Sequence, residues 1–331
     1  MARGNLDLAV ARLTRFKAAE RLRLLLALET EADFASLSRA DAERVADRRI
    51  AEEDWNPGRL LSLAAADRTA CLRFGIDFVS WISGDYPPLL REIPDAPTVL
   101  FYRGRASDPE RPLVAVVGTR DPSSAAAASA FDFGRGFGEC GIPVVSGLAR
   151  GIDSLAHRGN LDAGAPTVAV LASGLDGVYP ASNRPLAHRI LAAGGLLLSE
   201  YPPGESPRKW HFPARNRIIA GLARATVVVE APAGSGALIT ADFAVDQGRD
   251  LWVARAGVES ARGEGTRRLA GEGAPVAEDA SDIAADWGFA PGIRQPRRDA
   301  GAKVRVFRGS SAARGRSLAD ELAHILELEL L

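Results

Sequence analysis

The chain has 331 residues, 47% of them hydrophobic and 25% charged, which is long enough for a large core and about two domains. Lysine plus arginine (41) nearly balance aspartate plus glutamate (42), so the composition excludes a molecule-wide positive field that would draw the protein onto nucleic acid. Two cysteines exclude a disulfide framework, and there is neither an apolar signal core nor a bilayer-spanning run. These features predict a cytoplasmic protein, away from the membrane, with any anion site confined to a local surface.

Residues 1–95 are predicted to form a small N-terminal helical (SAM-like) domain followed by a connector. Apolar residues recur at intervals of three and four from Leu6 to about Leu72, which is the helical period. Most arginines of this segment are matched by Asp and Glu, which favours a solvated surface over a DNA-reading face. Residues 83–104 are rich in proline and end in a short β-like run, which is typical of a connector.

Residues 96–290 are predicted to form an α/β domain with a Rossmann-like, doubly wound parallel sheet. Short, continuously apolar runs alternate here with alanine-rich helical segments, and strands of that kind are covered on both faces. Six such runs are predicted strands: 112–117, 142–146, 166–172, 195–199, 225–230 and 250–254. Residues 291–331 are predicted to be a linker followed by a short C-terminal helical tail.

The loops after the strands are the places to look for a ligand, because they converge at the carboxyl edge of a doubly wound sheet. Four of the first five are rich in glycine and arginines occur among them, which favours a phosphate-bearing ligand, although tight turns alone also select glycine. Asp153 and His157 stand four apart on a predicted helix, where an ion pair or a cap is favoured over catalysis. The histidines lack metal-ligand spacing, so no metal is expected.

A basic stretch precedes the fifth strand. Residues 206–229 contain five cations and no acid, interleaved with Trp210, His211 and Phe212. Cations for phosphates and flat faces for bases are what single-stranded nucleic acid requires. The alternative is a solvated loop with one buried aromatic anchor. A helix is predicted to begin near Ala214, directly after the loop.

The motifs of several enzyme classes are absent from the sequence. There is no G-x-x-x-x-G-K-[ST] loop, no G-x-G-x-x-G after the first strand and no G-x-S-x-G elbow. Neither catalysis nor a cofactor is therefore expected.

The loop sequences, taken in their order along the chain, resemble those of one known family. The succession "GTR", "SGLARGIDSLAH", "VLASGLDGVYPASN", "LLLSEYPPG", "FPARNRIIAGLA" and "VVVEAPAGSGALITADFAVDQGRDLWV" is similar to the DprA (Smf) family of bacterial DNA-processing proteins, over about residues 86–276. The resemblance implies a protein that binds single-stranded DNA and loads RecA recombinase onto it during natural transformation. It also implies a homodimer without cofactor or turnover.

The resemblance also implies which residues meet the DNA. Arg120 matches the arginine of a G-[ST]-R motif that touches phosphate, and Lys209 and Phe212 match positions for a phosphate contact and for base stacking. The R-N-R motif and an S-G loop complete the implied DNA-binding set, as Arg215, Asn216, Arg217, Gly234, Ser235 and Gly236.

Two questions stay open at this point. One of Arg215 and Arg217 could instead be structural and hold Glu200 or Glu230, because a buried guanidinium requires a partner. The second question is whether the chain is a phosphoribohydrolase-like enzyme, since related folds carry a P-G-G-x-G-T loop. The matching loop here, "PAGSGALIT", lacks that double glycine. The sequence also departs from the family at Ala256 and Arg267, and its tail is too short to assign a winged helix.

Overall fold

The computed structural model describes residue 3 and residues 5–105 and 111–289, which divide into two compact units. The first unit ends at Phe101 and the second begins at Tyr102, whereas the boundary predicted from the sequence lies between residues 95 and 96. The predicted linker and C-terminal helix of 291–331 lie outside the described residues. None of the helices in the described ranges has the length and apolar composition needed to cross a membrane.

The first unit is mainly helical, as its sequence period predicts. Its elements are α1 (Leu6–Ala11), α2 (Ala18–Ala27), α3 (Glu31–Ser36), α4 (Arg39–Ala46), α5 (Pro57–Phe74), β1 (Asp77–Ser80) and α6 (Pro88–Arg91). Side chains of Thr30, Ser38 and Asn56 accept backbone N–H groups at the starts of α3, α4 and α5 and so satisfy otherwise unpaired donors. Strand β1 was not predicted from the sequence.

The second unit is built on a parallel sheet. Strand β2 (Val99–Gly104) crosses the division between the units, and the other strands are β3 (Val114–Val117), β4 (Val144–Ser146), β5 (Val168–Val170), β6 (Leu196–Ser199), β7 (Ala225–Val228), β8 (Asp250–Ala254) and β9 (Val276–Ala277). From β6 onward the order across the sheet is β6-β5-β4-β3-β7-β8-β9, with every neighbouring pair parallel. All six predicted strands are present.

Helices cover both faces of this sheet, so the fold is the α/β, Rossmann-like one that the sequence predicts. They are α7 (Ser124–Glu139), α8 (Ile152–Asp162), α9 (Arg184–Ala192), α10 (His211–Leu222), α11 (Gly236–Asp246), α12 (Arg255–Glu259), α13 (Glu264–Gly271) and α14 (Ala280–Asp286). Every residue of β3 to β7 is buried, which explains why their sequences are apolar without alternation. The core on one face packs Phe133 and Phe137 of α7 against Val114, Val144 and Val227 of the strands.

The order of the strands fixes where a ligand can lie. The chain builds the sheet outward from β3 in one direction through β6 and then returns to add β7 beside β3. The loops after β3 to β7 all leave the same edge of the sheet because the strands are parallel. Helix α10 begins at His211 rather than near Ala214: a proline in the first turn lacks only an N–H that would be unpaired there, so Pro213 does not delay the helix.

Candidate nucleic-acid interface

Three loops bring Arg120, Tyr179 and Phe212 together at the carboxyl edge of the sheet. Arg120 follows β3 and is exposed, and its guanidinium carbon lies 5.4 Å from the centre of the Phe212 ring. The ring of Tyr179, in the loop after β5, lies 5.7 Å from that of Phe212 and tilts 58° to it. Arg120 and Phe212, 92 positions apart in the sequence, are therefore neighbours at the predicted site. Tyr179 was not among the predicted residues, because the sequence shows an aromatic residue in a loop after a strand but not that its ring is exposed beside Phe212.

The loop before α10 presents three consecutive exposed residues, Arg208, Lys209 and Trp210. Arg208 pairs with Glu205 at 3.1 Å, whereas Lys209 forms no ion pair with any described residue. Glu205 lies immediately before the basic stretch of residues 206–229. Glu205 therefore compensates part of the positive charge of the stretch. Lys209 is the cation of this loop that has no ion pair with a described residue.

Arg217 is buried and forms an ion pair inside the protein. Its Nη2 donates to both carboxylate oxygens of Glu200 at 2.8 Å, and its Nη1 donates to the carbonyl of Ala214 at 2.8 Å. The single nitrogen Nη2 is shared between both oxygens of the carboxylate, and charge-assisted bonds of this kind hold the guanidinium in place. This is the structural alternative that the sequence left open for Glu200. Glu230, the other acid that was considered, accepts the N–H of Ser123 at 2.8 Å and the hydroxyl of Ser260.

Arg215 is also buried, beneath the loop after β4. Its Nη1 donates to the carbonyl of Gly147 at 2.8 Å and to that of Val170. Burial lowers the pKa of Arg215 to about 10, although the nearby carboxylate of Asp153 opposes that shift. The side chain therefore keeps its charge at neutral pH. A Cβ at position 147 would stand 2.6 Å from the guanidinium nitrogens, so the stacking of this group requires glycine there.

Asp153 holds the loop of residues 147–151 in a strained shape. Its Oδ2 accepts the N–H of Gly147 at 3.1 Å and of Ala149 at 3.3 Å, and burial raises its pKa despite these donors and Arg215. Leu148 between them has φ of +56°, a conformation that a leucine adopts only when its surroundings impose it. The side-chain amide of Asn183 adds to this by donating to the carbonyl of Leu148 at 2.9 Å. Asp153 is therefore a loop cap, one of the two roles expected for it.

This loop displays Arg150, which is exposed and forms no ion pair within the described ranges. Gly151 lies against the loop after β3: a Cβ there would stand 2.7 Å from the backbone carbon of Arg120 and 2.8 Å from its Cα. The N–H of Ile152 donates to the carbonyl of Thr119 at 3.2 Å and joins the two loops. Arg150 was missed by the sequence analysis. The sequence feature that could have identified it is an arginine in a Gly-rich loop directly after a predicted strand.

His157 serves the fold and is not paired with Asp153. The hydroxyl of Thr167 donates to the carbonyl of Val144 at 2.7 Å, so it accepts from His157 Nδ1 at 2.8 Å, and the proton of the neutral ring lies on Nδ1. Burial, reinforced by Arg215, lowers the pKa of His157 to about 3. The expected ion pair with Asp153 is therefore wrong, because a ring kept neutral by burial cannot supply the positive partner.

The loop after β7 is tied to α10. Ser235 begins α11 and its Oγ accepts the N–H of Ala237 at 3.3 Å, while the amide of Asn216 donates to the carbonyl of Gly236 at 3.1 Å. Gly234 and Gly236 are exposed, and Gly234 has φ of +70°. The start of α11 therefore presents its backbone N–H groups at the same edge as the aromatic cluster, which is a favourable position for an anion.

The predicted residues thus divide by burial. Exposed or partly exposed at the edge are Arg120, Lys209, Phe212, Asn216, Gly234, Ser235 and Gly236, whereas Arg215 and Arg217 are 5% exposed each. In the described ranges no group of three or more His, Cys, Asp or Glu side chains is arranged to hold a metal ion.

The family model of DNA recombination-mediator protein A matches residues 77–288, more than half of the chain. The chain belongs to this family. Among its relatives, the protein Smf of Synechocystis is 44% identical over 215 residues, and the DNA processing protein DprA of Streptococcus pneumoniae is 44% identical over 204. These matches cover 64% and 62% of this chain, but 54% and 72% of the relatives. The chain thus spans about half the length of the Synechocystis protein.

Solved structures of the family share this fold. The X-ray structure of DNA processing protein A from S. pneumoniae has a TM-score of 0.70 and 34% identity, and the match covers 86% of this chain and 98% of that one. A second structure, described as giving insights into the single-stranded DNA binding mode of DNA processing protein A from Helicobacter pylori, has a TM-score of 0.58 and 26% identity. That match covers 66% of this chain and 98% of the other.

Proposed function

We propose that this protein binds single-stranded DNA at the carboxyl edge of its sheet and acts as a recombination mediator in DNA processing. The observation that carries the proposal is the meeting of Arg120, Phe212 and Tyr179 beside Lys209, because it combines exposed cations with an aromatic platform. Family membership and the single-stranded DNA binding named for the H. pylori relative support it. Loading of RecA recombinase in natural transformation, action as a cytoplasmic homodimer and the absence of a chemical step belong to the same proposal.

The chemistry of the edge fits a ligand that is recognised without regard to sequence. Exposed cations attract phosphates, and a base that stacks on an aromatic face contributes roughly 1–3 kcal/mol whatever its identity. Arg120, Arg150 and Lys209 are exposed there without ion pairs to described residues. The two buried arginines are engaged within the protein and are left out of this group. The proposed contact surface therefore carries three phosphate-binding side chains, with the backbone N–H groups of α11 beside them.

A salt titration of oligonucleotide binding tests this proposal. Three phosphate contacts at roughly −0.7 each give a slope of about −2, which is roughly a twentyfold loss of affinity between 50 and 200 mM salt. Lys209→Ala and Arg120→Ala are each expected to weaken binding severalfold and to reduce the slope by about 0.7. Both should leave the melting temperature nearly unchanged, because the charges are exposed.

Arg224→Ala is the matched control. Arg224 is an exposed cation of the same basic stretch, but it precedes β7 and so lies at the opposite edge of the sheet, with its guanidinium 4.9 Å from the ring of Trp287. Its loss should leave both the affinity and the slope unchanged. A slope near zero, or equal effects of all three substitutions, would contradict the proposed surface. Hydrolysis of nucleoside monophosphates by the purified protein would instead favour the phosphoribohydrolase alternative.

A further inference from the structure

Trp210 differs from the other tryptophans of the chain in where its ring lies. It is 62% exposed, whereas Trp55 and Trp81 are buried and Trp252 and Trp287 pack against the core of the second unit. An exposed aromatic ring offers a large flat apolar surface that a ligand can cover.

The ring is held in place at the start of α10. It packs edge-on against His211, at 5.7 Å between ring centres and 86° between planes. His211 is buried, stacks on Tyr201 at 3.9 Å, and its Nδ1 donates to the carbonyl of Ala172 at 3.2 Å. Burial lowers the pKa of His211, so this support is neutral at physiological pH. The ring of Trp210 is thus exposed, and the residue that it packs against, His211, is held in place.

The charges around this ring suit a nucleic acid. The guanidinium carbon of Arg208 lies 5.5 Å from the centre of the Trp210 ring, and Lys209, without an ion pair to any described residue, adjoins both in the chain. A flat apolar face flanked by cations matches a base with its phosphates, whereas an apolar protein partner would have to cover these charges. Phe212, by contrast, is partly covered by Arg120 and Tyr179.

We infer that Trp210 is a second base-stacking subsite, separate from Phe212, for single-stranded DNA at this edge. The inference rests on the proposed function, because it assigns one more base of the same ligand. In this arrangement one base stacks on Phe212, beside Arg120 and Tyr179. Another base stacks on the exposed ring of Trp210, and Lys209, the residue before it, supplies a cation for the phosphates.

Substitution of Trp210 tests the inference. Trp210→Ala should weaken oligonucleotide binding by about 5- to 150-fold, the range for loss of one stacked base, while the salt slope stays at the wild-type value. Trp210→Phe should retain most of the affinity, since it keeps a stacking face. Val245→Ala is the matched control: Val245 is 60% exposed but near the end of α11, which leads back to the opposite edge, and it should have no effect.

An abasic scan distinguishes the two rings. A single abasic nucleotide moved along the shortest oligonucleotide that still binds, which leaves the protein no room to shift register, should cost wild-type protein affinity at two positions. Trp210→Ala should abolish the penalty at one of them and Phe212→Ala the penalty at the other. DNA should also protect wild-type tryptophan emission from acrylamide, and this protection should vanish in Trp210→Phe.

Wild-type affinity in Trp210→Ala, with Phe212→Ala and Lys209→Ala still impaired, would overturn the second subsite and leave the proposed function standing. Unimpaired binding in all three variants would instead remove the proposed function itself.

Discussion

At the scale of single residues, the two arginines of the R-N-R motif differ from Lys209 in where their charge is satisfied. Arg217 meets Glu200, and Arg215 meets two backbone carbonyls close to Asp153. A buried cation can bind a phosphate only if it gives up its partners inside the protein. A buried acid or carbonyl would then be left unpaired, which is costly. Asn216, between them, keeps an exposed amide that already joins α10 to α11.

Arg217→Ala is therefore expected to act on stability rather than on contact with DNA. Removal of one partner from a buried ion pair costs about 3–5 kcal/mol, and the lower end applies because the side chain of Glu200 keeps 17% of its exposure. Urea unfolding measures the loss, with Lys209→Ala expected to change stability by less than about 0.5 kcal/mol as the exposed control. An Arg217→Ala protein of wild-type stability that no longer binds DNA would show that Arg217 is a direct contact.

At the scale of elements, the loop of residues 147–151 is shaped from several directions at once. Asp153 holds its N–H groups, Arg215 and Asn183 hold its carbonyls, and Gly151 lets it lie against the loop after β3. Strained backbone of this kind persists only where the surroundings impose it, and it concentrates at functional sites. The arrangement places the segments that carry Arg120 and Arg150 side by side.

Gly151→Ala should separate these two loops. The new Cβ would collide with the carbonyl of Thr119 and the backbone of Arg120, so we expect a loss of stability together with a severalfold weaker affinity for single-stranded DNA. Gly164→Ala is the control, because Gly164 has nearly the same φ, +74° against +75°, with no atom within 4 Å of a Cβ. It should lose only about 1 kcal/mol and bind DNA normally. Equal effects of the two substitutions would mean that the close approach at Gly151 is irrelevant to binding.

Elements were predictable from the sequence where one local property decides them. The strands from β3 to β8 lie in apolar runs of the sequence. Such runs can be identified without knowing which elements pack against them. The burial of Arg215 could not be predicted, because its acceptors on Gly147 and Val170 lie 68 and 45 positions away. Phe212 and Lys209 were identified through resemblance, whereas Tyr179 and Trp210 needed their exposure and their ring neighbours to be seen.

At the scale of the whole molecule, the net charge of −1 means that affinity for DNA has to come from one local surface. Every side chain of the proposed contact surface, including Tyr179 and Trp210, belongs to the unit that begins at Tyr102. The helical unit that ends at Phe101 contributes none of them. The two units are therefore expected to have separable roles, with DNA affinity residing in the second.

A chain cut to the predicted domain, residues 96–290, should consequently keep the affinity for single-stranded DNA within about threefold, since an uninvolved domain contributes well under 1.4 kcal/mol to binding. The salt slope should be the same as for the full chain. Fluorescence anisotropy on both proteins under one set of conditions makes the comparison, with circular dichroism to establish that the shorter chain is folded. A tenfold loss of affinity in a folded fragment would assign part of the DNA surface to the helical unit or to the remaining tail.

The stacking of Arg215 on Gly147 has a consequence for how the sequence can change over evolutionary time. A side chain at position 147 is blocked while the guanidinium is there, and loss of the guanidinium leaves the carbonyls of Gly147 and Val170 and the carboxylate of Asp153 without their donor or charge partner. Neither position is free to drift alone. Lineages that abandon the arginine are expected to change the glycine and the aspartate as well, so these three positions should be inherited or lost as a set.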